Sequence, residues 1–285
     1  MPNRSSPTVR RRRLAGELRS LRKESGKTRE QVAAFVGCSP VTITRIESAQ
    51  TAPRLADTAR MLELYGVTGA RREVLMTLCG QARRRGWWHQ YSGAIPEWFE
   101  VYVGLEEEVS EIRTYQPELV HGLLQTDGYM RAVMLADVNV PSDDELDRRV
   151  AVRMKRQERL TGDDAPKVGV VLNEAALRRE VGGRATMREQ LRYLAEISRL
   201  NKVLLQVLTY AAGAHPGMDG PFEILSFPEA ADPDVVYVQY RRGSIYMEQQ
   251  PDVGAYAELF DHLRARALGP DESRALIARV ADGMT

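Results

Sequence analysis

Apolar side chains recur three or four residues apart in the first part of the chain, which is the spacing of an amphipathic helix. Leu14, Leu18 and Leu21 carry this pattern, and Gly26 marks where the helix should end. Short segments of the same period follow as far as about residue 81, separated by Gly, Ser or Pro. We therefore predict an all-α bundle of five short helices over residues 10–82, preceded by a disordered leader at residues 1–9.

The second and third predicted helices carry clear start and stop signals. Thr28 and Gln31 form a Thr-x-x-Gln capping box, and Gly37 can adopt the left-handed conformation of a tight turn. Ser39 then provides an N-cap, and Pro40 suits the first helical position because its missing N–H costs nothing there. Two helices joined in this way form a helix-turn-helix, whose second helix fits the major groove of DNA.

Beyond residue 96 helical and strand-like periods alternate. Helices are predicted at 97–115, 125–137, 142–160, 174–181, 186–200, 252–268 and 271–281, and strands at 167–172, 202–208, 222–227, 235–241 and 244–248. This mixture predicts a larger α+β domain over residues 97–285, after a linker at residues 83–96 that contains Arg83–Arg85. Four aromatic residues near this boundary are predicted to pack in a core or between domains: Trp87, Trp88, Trp98 and Phe99.

The formal net charge of +1 conceals an uneven distribution of charge along the chain. Residues 1–90 contain 18 Lys and Arg against 7 Asp and Glu, whereas the remaining residues contain 22 against 32. A basic segment of this kind indicates a polyanionic partner, and with a helix-turn-helix it favours double-stranded DNA.

The outer face of the predicted third helix carries the candidate base contacts, which are Ser39, Pro40, Val41, Thr44 and Arg45. Arg45 can donate two hydrogen bonds to a guanine, and the methyl groups of Val41 and Thr44 suit a thymine methyl. A second set should contact phosphates and so position the helix without reading sequence: Thr28, Arg29 and Arg54.

The basic run Arg10, Arg11, Arg12 and Arg13 has two interpretations. It could form an arm that follows the phosphates or enters a minor groove. More often, such a run is the solvated start of a helix, which is the interpretation we favour here.

Residues 10–67 resemble the Xre/Cro family of helix-turn-helix domains. The resemblance rests on the Thr-Arg-Glu-Gln start, the Gly turn, the segment from Ser39 to Glu47 and the later Pro53. The sequence departs from that pattern at Ser48-Ala49-Gln50, where many members have a Gly with basic residues. The resemblance implies a DNA-binding regulator.

Essentially the whole of residues 10–281 resembles one actinobacterial family of antitoxin-like, or WhiJ-like, regulators. The segments that carry this resemblance are 116–129, 173–183 and the Val-Val-Tyr-Val strand at 235–238. His121 stands where many members carry proline. The resemblance implies a small, separately encoded partner protein and no catalytic activity.

No pattern of catalytic or metal-binding residues is apparent in the sequence. The four histidines, His89, His121, His215 and His262, lack metal-ligand spacing, and Cys38 and Cys79 are not paired in a CxxC motif. We predict no enzymatic activity, no metal and no cofactor. The sequence shows no export signal and no apolar run long enough to span a bilayer, so a cytoplasmic, nucleoid-associated protein is expected.

One glycine-rich segment, 213–220, has two interpretations. Its His215 and Asp219 could contact a ligand that approaches the glycine backbone. Alternatively, the segment simply connects two strands, which is the usual use of Gly and Pro and the interpretation we favour.

The function predicted from these patterns is that of a transcription regulator, in which a homodimer reads an inverted repeat and the C-terminal domain exerts control. That domain would receive a small partner protein or a small-molecule effector. The alternative is an antitoxin-like protein whose C-terminal domain neutralises a small partner, while the helix-turn-helix autoregulates its own operon.

Overall fold

The structure is a computed structural model that describes residues 7–91, 93–229 and 232–284. These residues form two compact units. The first comprises the described residues up to Gln90 together with Val101–Glu108, and the second comprises Tyr91–Glu100 and the residues from Val109 onward. Most of the predicted leader, residues 1–6, lies outside the described residues, whereas residues 7–9 form the first turn of a helix.

The first unit contains the five short helices predicted from the sequence. They are α1 (Pro7–Glu24), α2 (Arg29–Val36), α3 (Pro40–Glu47), α4 (Leu55–Leu64) and α5 (Gly69–Ala82). All five contribute to one apolar core, in which Leu14, Leu18 and Leu21 of α1 are buried. The predicted linker contains a one-turn 3-10 helix at Trp87–Tyr91, where the Trp88 side chain is buried.

A six-stranded sheet and several helices make up the rest of the chain, as predicted for an α+β domain. The strands are β1 (Glu111–Gln116), β2 (Lys167–Asn173), β3 (Val203–Leu208), β4 (Phe222–Ser226), β5 (Val235–Tyr240) and β6 (Gly243–Met247). The helices are α6 (Glu97–Glu106), α7 (Asp127–Leu135), α8 (Asp143–Gln157), α9 (Ala175–Arg178), α10 (Gly183–Ile197), α11 (Gln250–Arg266) and α12 (Pro270–Asp282).

The sheet is mixed, with strand order β3-β2-β1-β4-β5-β6. β1, β2 and β3 are mutually parallel, whereas β4 is antiparallel to β1 and the hairpin strands β5 and β6 continue antiparallel from β4. β1 is therefore the strand at which the pairing changes from parallel to antiparallel.

The prediction of one helix across residues 97–115 is wrong beyond Glu106. α6 ends there, and the following segment forms β1 in the middle of the sheet. No Gly or Pro lies between Leu105 and Gln116 to mark the end of the helix. The alternation of Glu111 and Arg113 with Ile112 and Thr114 was a local strand signal, but it is too short to separate the two periods clearly. The segment becomes a strand because β2 on one side and β4 on the other pair with its backbone N–H and C=O groups.

One apolar core of the second unit lies between one face of the sheet and α11. Val253, Phe260 and Leu263 of α11 belong to one buried cluster with side chains from five strands, which are Tyr115, Val171, Leu208, Phe222, Ile224 and Val236. Removing this apolar surface from water is the main favourable contribution to the folding of the unit.

The glycine-rich segment at residues 213–220 packs against that core. It connects β3 to β4 and includes a one-turn 3-10 helix at Pro216–Asp219. Gly217 is buried there, and a Cβ at this position would lie 2.8 Å from Cε1 of Tyr115 and 2.9 Å from Cδ1 of Leu263. The glycine is required because the backbone approaches two core side chains closely.

We expect Gly217→Ala to lower the free energy of unfolding by about 1–3 kcal/mol, because the added methyl group overpacks the core. Urea unfolding of the full chain, followed by circular dichroism, measures this change. Gly254→Ala is the matched control, since Gly254 is exposed in α11 and a Cβ there meets nothing within 4 Å. The control should raise stability by about 0.5–1 kcal/mol, as alanine does in a helix interior. If both substitutions change the free energy of unfolding in the same direction, the packing role of Gly217 is contradicted.

Candidate DNA-binding site

The start of α2 is fixed by the predicted capping box. The backbone N–H of Gln31 donates to Oγ1 of Thr28 at 3.3 Å, and the backbone N–H of Thr28 donates to Oε1 of Gln31 at 2.9 Å. At the other end Gly37 adopts φ +83°, and the N–H groups of Gly37 and Cys38 both donate to the Ala33 carbonyl. The predicted start and end of α2 are thus both confirmed.

α3 begins at the predicted N-cap. The N–H of Thr42 donates to Oγ of Ser39 at 3.2 Å, and Pro40 occupies the first helical position. Ile43 and Ile46 are buried and face the apolar residues of α2, which are Val32, Ala33 and Val36. The helix-turn-helix geometry predicted from the sequence is confirmed.

The opposite face of α3 is open to solvent. It carries all five residues predicted to contact bases: Ser39, Pro40, Val41, Thr44 and Arg45. Val41 is 60% exposed, so its side chain is available for an apolar contact. The hydroxyl of Thr44 donates to the Pro40 carbonyl at 3.1 Å, which leaves its methyl group as the portion suited to an apolar contact. Among the described residues the Arg45 side chain has no hydrogen-bond or ion-pair partner.

The three residues predicted to contact phosphates differ in solvent exposure and in their contacts within the unit. Thr28 and Arg54 are exposed, at the N-termini of α2 and α4 respectively. Arg29 is partly buried, and its Nε donates to Oε2 of Glu47 at 2.9 Å. Its guanidinium is therefore partly committed to an ion pair within the unit, which the sequence did not indicate.

Glu47, the last residue of α3, is the centre of that ion pair. Its side chain is only 1% exposed, and Arg22 of α1 approaches both carboxylate oxygens, with Nε 2.5 Å from Oε1 and NH2 3.1 Å from Oε2. Hydrogen bonding to Glu47 is the main cause that raises the pKa of Arg22. The carboxylate thus joins α3 to α1 through Arg22 and to α2 through Arg29.

Sequence reasoning missed this arrangement because its members are far apart in the chain. Arg22 and Glu47 are separated by 25 positions, and neither lies on an apolar seam. A charged residue that follows directly on a predicted core Ile, as Glu47 follows Ile46, was the available signal.

Arg60 was missed for the same reason. Its NH1 donates to the Val36 carbonyl at 3.1 Å, and its guanidinium lies 5.3 Å from the Phe35 ring centroid.

α3 ends in a Schellman motif that has alanine where glycine is usual. Ala49 adopts φ +58°, and it is the only described non-glycine residue with a positive φ. Its N–H donates to the Ile46 carbonyl, and the N–H of Gln50 donates to the Arg45 carbonyl at 2.9 Å. The departure noted in the sequence at Ser48-Ala49-Gln50 therefore falls at a position whose backbone favours glycine.

Arg10, Arg11, Arg12 and Arg13 lie within α1 and do not form an extended arm in this structure. Arg10 makes an ion pair with Glu108 at 2.9 Å, and burial lowers the pKa of Arg11. All four side chains are partly buried. The run is therefore helical in this structure, and a contact between these arginines and DNA stays a prediction.

The fold and the site define a helix-turn-helix protein with a second, α+β unit. The model of the Helix-turn-helix domain matches residues 13–75, which indicates DNA binding and transcription regulation. The model described as a Domain of unknown function (DUF5753) matches residues 99–279, which is more than half of the chain. The chain belongs to this DUF5753 family. Comparison with curated proteins and with solved structures gave no match.

The described residues contain neither a membrane-spanning helix nor a candidate metal site. None of the helices found there combines the length and the apolar character needed to cross a membrane. Over the same residues, no three His, Cys, Asp or Glu side chains are grouped in a way that could hold a metal ion.

We expect Glu47→Ala to lower the free energy of unfolding by about 3 kcal/mol, because it leaves Arg22 partly buried without its carboxylate. Chemical denaturation monitored by circular dichroism is the measurement. Glu17→Ala is the control, since the Glu17–Arg71 pair is exposed and 3.6 Å long. The control should change stability by no more than about 0.5 kcal/mol. Similar losses in both variants would show that the buried pair does not hold α3 in place.

We expect Ala49→Gly to raise the free energy of unfolding by about 0.5–1 kcal/mol, since relief of the left-handed strain exceeds the added chain entropy. Thermal and urea unfolding measure the gain. Ala34→Gly, at an exposed position in α2, should instead lower stability by about 0.5–1 kcal/mol. A loss in both variants would mean that the left-handed backbone at residue 49 costs nothing in solution.

Proposed function

We propose that this protein is a sequence-specific transcription regulator that reads double-stranded DNA through α3. Ser39, Pro40, Val41, Thr44 and Arg45 contact base edges in the major groove. Thr28, Arg29 and Arg54 contact phosphates on either side. The single observation that carries this proposal is the solvent-exposed face of α3, on which an unpaired Arg45 lies beside an exposed Val41 while the opposite face is locked into the core.

A homodimer on an inverted repeat is the form of binding we propose. One helix of eight residues touches only a few base pairs, which is too little information to select a site in a genome. Two-fold symmetry doubles the contacts and sets half-sites about one helical turn apart. Sedimentation of the complex should show two chains on one site, and one chain on a fully occupied site would exclude this form.

Control of DNA binding is the role we propose for the second unit. The resemblance to antitoxin-like, WhiJ-like actinobacterial regulators supports this assignment, as does the acidic balance of the residues beyond 90. No catalytic activity is assigned to it, and the family description of that domain names none.

A second candidate function is that of an antitoxin-like protein that binds a small, separately encoded protein. One observation favours it: the end of α7 and the connection that follows expose the apolar residues Leu135, Val138 and Val140, of which Val138 is 81% exposed. Apolar side chains grouped in this way often mark a protein contact. Co-expression with the product of a neighbouring small reading frame, with Val138→Asp as the comparison, tests this candidate.

We expect Arg45→Ala and Arg54→Ala to affect DNA binding differently. A site is first obtained by selection from random duplexes. Arg45→Ala should lose about 1–3 kcal/mol on that site and little on random DNA, because a base contact disappears. Arg54→Ala should weaken binding to both duplexes alike, because a phosphate contact disappears. The slope of log K against log salt concentration should become less steep by about one, since about one counterion fewer is released.

Arg54 is the appropriate phosphate variant because Arg29 also pairs with Glu47. Substitution of Arg29 would change both the stability of the unit and its DNA affinity, and the two effects could not be separated. Circular dichroism of each variant serves as the folding control. If Arg45→Ala weakens specific and random duplexes equally, Arg45 does not read bases and the assignment of α3 is incorrect.

A further inference from the structure

The second unit contains a cavity of about 770 Å³, which is within the range of small-molecule sites. Its walls come from the start of α6, from α7 and α8, and from the turn between β5 and β6. Four arginines line it, which are Arg149, Arg153, Arg241 and Arg242. Asp137 is the only acidic residue among the described residues of the lining, so the cavity is positively charged.

Arg153 is the most unusual of these arginines. Its NH1 donates to the neutral Oε1 of Gln125 at 2.5 Å, and over the described chain no carboxylate pairs with it. Burial, followed by the charges of Arg156 and Arg149, lowers the pKa of Arg153 to about 10. The group therefore keeps its charge at neutral pH, although no carboxylate among the described residues pairs with it.

The neighbouring arginines leave further donors for an anion. Arg149 pairs with Glu145 through NH2, but its buried Nε has no hydrogen-bond partner among the described residues. Arg241 pairs with Asp137 at 3.1 Å, while Arg242 is exposed on the adjacent turn. A buried donor without an acceptor is costly, and an anion in the cavity would satisfy it.

The other wall of the cavity is apolar and aromatic. Trp98 and Phe99 contact each other edge to face, with 5.8 Å between ring centroids, and the guanidinium of Arg156 lies 5.1 Å from the Phe99 centroid. The hydroxyl of Tyr246 donates to the Trp98 carbonyl at 3.0 Å, which fixes this segment against β6. Trp98 and Phe99 were predicted as packing residues, but both also line the cavity.

We propose that this cavity binds a small organic anion, with its carboxylate or phosphate at Arg153 and Arg149 and its apolar or aromatic body against Trp98 and Phe99. The role of such a ligand as an effector of DNA binding rests on the function proposed above. The binding itself does not, and it is tested without DNA.

The test uses two fluorescent probes that differ by one charged group. One is 8-anilinonaphthalene-1-sulfonate, an aromatic anion, and the other is N-phenyl-1-naphthylamine, the same ring system without the sulfonate. Titration of the full chain with each probe gives two dissociation constants. We expect the anionic probe to bind at least tenfold more tightly, since a charge-assisted hydrogen bond contributes about that factor or more.

Three variants locate the site. Arg153→Gln should weaken the anionic probe about tenfold and leave the neutral probe unchanged, whereas Arg153→Lys should retain most of the affinity. Val133→Trp, which fills the cavity from α7, should weaken both probes. Arg279→Gln, at an exposed arginine of α12 outside the cavity, should change neither. Circular dichroism with thermal unfolding shows which variants are folded.

Competition distinguishes the two anion chemistries. Benzoate and phenyl phosphate should each displace the anionic probe from the wild-type chain, and the stronger competitor identifies the preferred group, while neutral benzyl alcohol should not displace it. The proposal is overturned if Arg153→Gln, folded, binds the anionic probe as the wild type does. It is also overturned if the neutral probe binds equally well, because the cavity would then be only an apolar groove. Intact probe binding with no DNA binding would refute the proposed function alone.

Discussion

The position of α3 depends on one buried carboxylate. Apolar contacts between Ile43, Ile46 and α2 hold the helix against the core, but such contacts are not directional and allow a helix to slide or rotate. Glu47 adds directional bonds to two other helices, through Arg22 and Arg29. A buried charge is tolerated only when its partners are in place, so the pair fixes a single arrangement of α1, α2 and α3.

Arg29 pairs with Glu47 inside the unit and, under the proposed function, would also contact a DNA phosphate outside it. Its Nε lies on Glu47 inside the unit, while the residue remains partly exposed at the start of α2. A phosphate that approached the outer side of its guanidinium would contact the same group that holds α3. Under the proposed function, one side chain would therefore take part both in phosphate contact and in the ion pair that positions α3, whereas Arg54 and Thr28 make no contact with Glu47 among the described residues.

The parts of the fold that sequence could predict are those determined by neighbouring residues. The capping box of Thr28, the turn at Gly37 and the cap at Ser39 each depend on residues within four positions, and all three are confirmed. β1 was predicted as helix, because the pairing that favours a strand there comes from residues 167–172 and 222–226, far away in the chain. The cavity at Arg153 was likewise not predicted, since five separate segments between residues 94 and 242 form its walls.

The central place of β1 has a consequence for how the protein is made. β1 leaves the ribosome before either of its neighbours: β2 begins at Lys167, and β4 begins only at Phe222. Until those strands are made, the segment lacks the partners on which its strand conformation depends. The alternation of Glu111 and Arg113 with Ile112 and Thr114 gives it charges that discourage pairing with other nascent chains. The segment is thus left available to β2 and β4 when they emerge.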